Sequence, residues 1–438
     1  MDHAGPAPQA RERGLRRAAV APMVGRPGPW WWALTGVLTL VTLAGVGAFA
    51  YQVVRGIGVT GLNDDVFWGL YTVDLVAFIG FSYGGAMVSA ILRLTHARWR
   101  GPISRIAEAT ALVTLAIGAV FPIVHLGRPE RFWEMFTRFH IDSPISWDMV
   151  AIVTYLFATL VLFSLPLIPD VASIPADAGI GGIRARFHAW WGRGWVGSDS
   201  QRSHLSRALT AISIVIIPLA VMVHTVLSYA FSLTSRPGWH STIFGPYFVI
   251  AAIYSGVAIV IVATAAYRRA YGLREVIPDR AIVNLGYIMV ALGIAYAYLL
   301  FTEITTEGYV GEESAQGLLF AVVLDRYALP FWLFVIAGLA IPTLIVAVRR
   351  TRTATGITVA AALVVVAMYL KRFLMVIPPL TRPLIGEEWA GYSPSWVEWT
   401  VTAGATAAIP LLIMVLFRWV PVLAIHEMEE IEASGGDS

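Results

Sequence analysis

The sequence predicts an all-α polytopic membrane protein with ten spanning helices, and two observations carry that class. The chain is 57% hydrophobic and only 13% charged, with a mean hydropathy of +0.70, whereas soluble domains carry about 25% charged residues. Its apolar residues also fall into ten continuous runs of about 20, the length at which a helix crosses hydrocarbon. A β-barrel would need alternating segments of about ten residues instead.

The first run, 30–54, begins at Trp30-Trp31-Trp32, an interfacial aromatic belt. Residues 1–29 are Pro- and Arg-rich and read as a disordered cytoplasmic tail before an uncleaved first helix. The second run, 67–92, carries Asp74 and Tyr83. The third, 106–124, has Glu108 near one end and His125 just past the other, and the fourth, 147–168, opens at Asp148. The fifth, 208–234, contains His224, and the sixth covers 244–266. The seventh, 282–302, ends at Glu303 ahead of an acidic loop with Glu307, Glu312, Glu313 and Asp325. The eighth run is 327–347, the ninth, 354–378, holds Lys371 and Arg372, and the tenth, 397–417, opens beside Glu398.

Orientation follows from the distribution of Lys and Arg between alternate loops: 22 of the 31 fall on the side that also carries both termini, which makes that side cytoplasmic. The net charge of +3 is thereby a matter of topology and gives no argument for nucleic acid. The chain divides into helices 1–4 over 30–169, a cytoplasmic loop over 170–205, helices 5–8 over 206–348, helices 9 and 10 over 349–418, and an acidic cytoplasmic tail over 419–438. Within the long loop, Arg alternates with aromatics from Ile183 to Trp195, the composition of a short helix lying among lipid headgroups.

A charge placed in hydrocarbon costs roughly 2.5–3.5 kcal/mol on insertion scales, so each intramembrane ionisable residue is a site candidate. His125 ends one helix and Asp148 begins the next, so both lie at one depth near the outer surface. Quinol oxidation needs such a pair, because each hydroxyl loses a proton as its electron leaves and both side chains accept one. Arg128, Phe132, Trp133, Trp147 and Tyr83 are the expected quinol-binding residues around them, aromatic walls suiting a flat ring. Asp74, Glu108, His224, Glu303 and Arg372 form a candidate proton path, with Arg372 rather than Lys371 expected to point inward toward a carboxylate. The absence of cysteine rules out thiolate zinc or a cysteine-ligated iron–sulfur cluster in this chain. A haem would need His125 and His224 to face each other, so neither haem nor metal is expected here. The stiff, Arg- and Trp-bearing outer loops suit a docking face for an extracytoplasmic partner.

Longer motifs carry a resemblance. Arg105-Ile-Ala-Glu-Ala, His125-Leu-Gly-Arg-Pro, Ser143-Pro-Ile-Ser-Trp-Asp148, Val223-His-Thr-Val-Leu-Ser228 and Pro237-Gly-Trp-His-Ser-Thr-Ile-Phe244 resemble the NrfD/PsrC family of quinone-handling membrane subunits, most closely its ActC branch in alternative complex III. The resemblance implies two four-helix bundles plus flanking helices, and a quinol site near the outer surface of the first bundle with His125 and Asp148 as its proton-exchanging pair. It implies electron delivery to an extracytoplasmic iron–sulfur protein and on to multihaem or monohaem cytochrome subunits, beside a second NrfD-like membrane subunit in the lipid of a bacterial plasma membrane. A molybdopterin oxidoreductase anchor of the same fold is the first alternative, and a secondary transporter the second. Two positions depart from the family pattern: Ala230 stands where an acidic residue is common, and Tyr83 where a histidine is common. The loss of that carboxylate leaves a proton route through the second bundle incomplete.

Overall fold

The computed structural model describes residues 8–174, 179–383 and 388–435, and among these the regular structure is helical throughout. Ten helices are long and apolar enough to span a membrane. They are α1 (Pro29–Arg55), α2 (Leu70–Leu94), α3 (Gly101–His125), α4 (Pro144–Ala172), α5 (Asp199–Ser232), α6 (Phe244–Ala270), α7 (Asp279–Tyr309), α8 (Ala328–Ala347), α9 (Ala354–Thr381) and α10 (Trp396–Leu416). Each coincides with an expected run. The main differences are extra polar turns, such as Asp199–Arg207 on α5, which continue a helix past the apolar stretch.

Chain order and packing give two antiparallel bundles, α2–α5 and α6–α9, joined where α2 lies against α6. That contact is backbone to backbone: a Cβ added to Gly84 would fall inside the van der Waals envelope of the Gly256 carbonyl carbon. Helices α1 and α10 pair with each other and flank the bundles, with Gly45 and Gly404 in similar close approach. The bundles thus begin at α2, because α1 packs chiefly on α10, the tenth span. Three spans are interrupted. Helix α3 breaks around Ala119–Val120 before Pro122, and α4 breaks at Leu165–Pro166. A π-helical turn at Ile336–Ala340 in α8 accompanies a hydrogen bond from the Tyr254 hydroxyl to the Gly338 carbonyl.

The described segments nearest the two termini lie at one face, and both contain a helix. Residues Pro8–Val24 form a helix with Ala19 and Met23 buried, and Ile425–Gly435 forms another. The physical reason is pairing of charges that look solvated in the sequence. Arg16 bonds Glu429 at 3.1 Å, Glu427 is buried against Arg93 with Arg100 at 4.0 Å, and the Val422 amide donates to the Ala19 carbonyl. The expected helix in the long loop is present at Gly182–Trp191. It packs on the chain end, with Phe187 edge-on to Trp419 and the His188 ring 2.7 Å from the Trp419 carbonyl.

Candidate functional site

At the face opposite the termini, the ends of α2, α3, α4 and α5 enclose a cavity of about 200 Å³. Pockets of about 300–1,000 Å³ enclose drug-sized ligands, so this one admits a single ring and leaves a long tail outside. The break in α3 and the Pro122 turn carry His125 to its edge, and the first turn of α4 brings in Asp148. Topology alone places the two at one depth; the fold puts them on one cavity.

Each of the two leaves a buried atom without a hydrogen-bond partner, Nδ1 of His125 and Oδ1 of Asp148. Buried polar atoms are nearly always bonded, so two residues of one cavity that each keep an unbonded atom mark it as a candidate ligand site. Trp68, Phe121, Met135, Met149, Leu227 and Phe231 supply apolar wall, and Tyr71 and Thr72 are the hydroxyl-bearing residues of the lining.

The walls differ from those expected. Arg128 and Trp133 point to the exterior, Phe132 stacks edge-on with Phe136, and Trp147 donates to the Ile141 carbonyl at 2.8 Å and packs on Phe139. None of these four side chains is among the lining residues; from the loop 126–143 it is Leu126 and Met135 that reach the cavity. Tyr83 is also elsewhere: its ring centre lies 4.0 Å from that of His224 and 4.9 Å from that of Tyr155 in the buried core of the first bundle. Ala230, expected to bear on a route through the second bundle, lines this cavity of the first.

The candidate proton path separates into clusters. Asp74 accepts from Tyr369 at 2.6 Å and Thr402 at 2.5 Å, tying α2 to α9 and α10. Glu108 accepts from Ser89 at 2.6 Å beside Arg105, near the termini face. His224 borders a small cavity shared with Arg372, Lys371, Tyr247 and Tyr296 at the bundle interface. Arg372 is inward as expected, yet among the described residues it meets no carboxylate: it donates to the Ser255 hydroxyl and the Met368 carbonyl, both at 2.8 Å. Lys371 takes the carboxylate instead, 3.8 Å from Glu303 and over the rings of Tyr247 and Phe334. His125 and His224 border different cavities.

Sequence reasoning missed Gln52, which is 1% exposed on the largely exposed α1. Its amide donates to the Val124 carbonyl at 3.0 Å and accepts from the Tyr71 hydroxyl at 2.5 Å. The available signal was a lone carboxamide in an apolar span, which needs polar partners inside the bundle. Glu398, counted among the intramembrane charges, caps α10 together with Ser395 and accepts from Tyr392 at 2.6 Å.

Comparison with known proteins bears on this arrangement. Residues 58–383 match the family described as polysulphide reductase, NrfD. The chain is 25% identical to the membrane subunit of a putative dimethyl sulfoxide reductase of Halobacterium salinarum, over 96% of this chain and 98% of that protein. It is 26% identical to an Hdr-like menaquinol oxidoreductase integral membrane subunit of Archaeoglobus fulgidus, over 90% and 95%. A selenate reductase subunit of Mesobacillus selenatarsenatis is 24% identical over 91% and 96%.

Proposed function

Since the chain belongs to the polysulphide reductase NrfD family, we propose that it is the quinol-oxidising membrane subunit of an oxidoreductase complex, with the His125–Asp148 cavity as its substrate site. The observation that carries this reading is that His125 and Asp148 line one apolar cavity of ring size, each keeping a side-chain atom that no protein group bonds. Quinol oxidation releases two protons and two electrons. The Asp148 carboxylate and the His125 imidazole accept the protons, and Trp68 and Phe121 hold the ring against water. The electrons leave for a redox centre in a partner docked over loops 126–143 and 233–243.

The relatives' names favour a terminal-reductase complex, of the dimethyl sulfoxide or selenate reductase type, over alternative complex III. A reductase of an external acceptor consumes electrons, so its membrane subunit draws them from quinol. With the Arg-rich face cytoplasmic, the cavity lies toward the outer face of a bacterial plasma membrane, and an iron–sulfur partner with or without cytochromes receives the electrons there. A photoreactive short-chain menaquinone analogue tests the site in the intact complex. Labelled peptides are expected to contain Tyr71, Met135 or Met149; labelling confined to the second bundle overturns the assignment.

A further inference from the structure

Gln52 does more than brace α1 against the first bundle, because its two hydrogen bonds have a fixed direction. The Val124 carbonyl lies in the last turn of α3, where helix carbonyls are left over from the intrahelical ladder. A carbonyl can only accept, so the Gln52 nitrogen has to face it, 3.0 Å away. The amide oxygen is thereby turned to Tyr71, 2.5 Å from its hydroxyl. An amide oxygen likewise only accepts, so Tyr71 is forced to donate its single proton to Gln52.

The consequence lies at the cavity, which Tyr71 lines together with His125 and Asp148. With its proton engaged, the Tyr71 oxygen has only lone pairs left to offer. It can accept from a quinol hydroxyl, and it cannot donate to a quinone carbonyl. Resting on the site assignment above, we infer that Gln52 is a positioning residue that makes the cavity selective for the reduced form of its ligand, acting through Tyr71. The same amide ends the helix that presents His125, so one side chain of a flanking helix sets two of the cavity's polar groups.

The test uses the intact complex with its redox partners. The KM for a short-chain menaquinol and the inhibition constant of the matching menaquinone are measured in the parent, Gln52→Met, Tyr71→Phe and the double variant. Each single variant is expected to lower the ratio of quinone inhibition constant to quinol KM by roughly 3- to 10-fold, the size of one neutral hydrogen bond. The double variant should match Tyr71→Phe, since without the hydroxyl at position 71 the Gln52 amide has no group through which to act. A purely structural role for Gln52 would lower kcat and raise both constants together, and an unchanged ratio overturns the inference. Tyr71→Phe keeps the test decisive if Gln52→Met fails to assemble. If the photoreactive analogue still labels the cavity while the ratio stays constant, only the selectivity falls; if it labels elsewhere, the site assignment falls with it.

Discussion

Arg105 and Asp170 meet at 2.7 Å near the termini face, with neither side chain reaching solvent. Asp170 also accepts from the His426 amide at 2.8 Å, so this ion pair anchors the C-terminal helix to α3 and α4. Removing one partner of a buried pair strands the other charge, at a cost of about 3–5 kcal/mol, while replacing both with apolar residues costs far less. Asp170→Ala is therefore expected to lower thermal stability sharply in detergent, and Arg105→Met combined with Asp170→Leu should recover much of it. A double variant as unstable as the single one would show that the charges do more than neutralise each other.

Asp148→Asn keeps the shape of the cavity and removes a proton acceptor, so quinol turnover should fall by about 10²-fold or more with the complex intact. His125→Gln should fall similarly. Normal turnover in either variant removes that residue from the proton-exchanging pair.

The contact between the bundles is predicted to be intolerant of a single methyl group. Gly84→Ala places a carbon inside the Gly256 backbone, and overpacking of this kind costs about 1–3 kcal/mol. Gly36→Ala, where a Cβ meets nothing within 4 Å, is expected to be neutral or slightly stabilising. Thermal unfolding of the two purified variants compares them directly.

The loop 126–143 leaves Trp133, Phe136 and Ile141 exposed. Arg131 is engaged in two bonds to Glu134, at 2.7 and 2.8 Å, and these hold the Glu134 carboxyl below the usual range. Arg128 and Trp133 are the more available contacts for a partner. Ala substitution at both should reduce copurification of the redox partner while leaving the melting temperature of the subunit unchanged. Loss of partner and stability together would point to a folding role for the loop.

Proton translocation is the step the separated clusters bear on most. Asp74 faces α9 and α10 rather than the His125 cavity. In liposomes, quinol turnover is expected to release only the substrate's own protons, and Asp74→Asn should leave that number unchanged. Additional protons lost on that substitution would establish a path through Asp74.

Spans were readable because a run of apolar residues reports hydrocarbon thickness directly, and all ten helices fall where such runs lie. The pairing of His125 with Asp148 was readable for a related reason: helix ends share a depth. Depth says nothing about azimuth, however. That is why the cavity is walled by Trp68 and Phe231 and not by Trp133 and Trp147, and why the carboxylate expected for Arg372 is met by Lys371 instead. The terminal helices were hidden by charge, since Arg16, Arg93, Glu427 and Glu429 look solvated until the two ends of the chain are brought together.

Helix α1 is held by neighbours at very different distances along the chain. Gln52 reaches Tyr71 on α2 and Val124 on α3, the farther of them 72 residues away. Helix α10, which meets α1 at Gly45 and Gly404, is separated from it by 340 residues between Arg55 and Trp396. The polar bracket beside the cavity and the close pairing at the flank therefore draw on different helices, and a change confined to the Gly45–Gly404 seam leaves both hydrogen-bond partners of Gln52 in place.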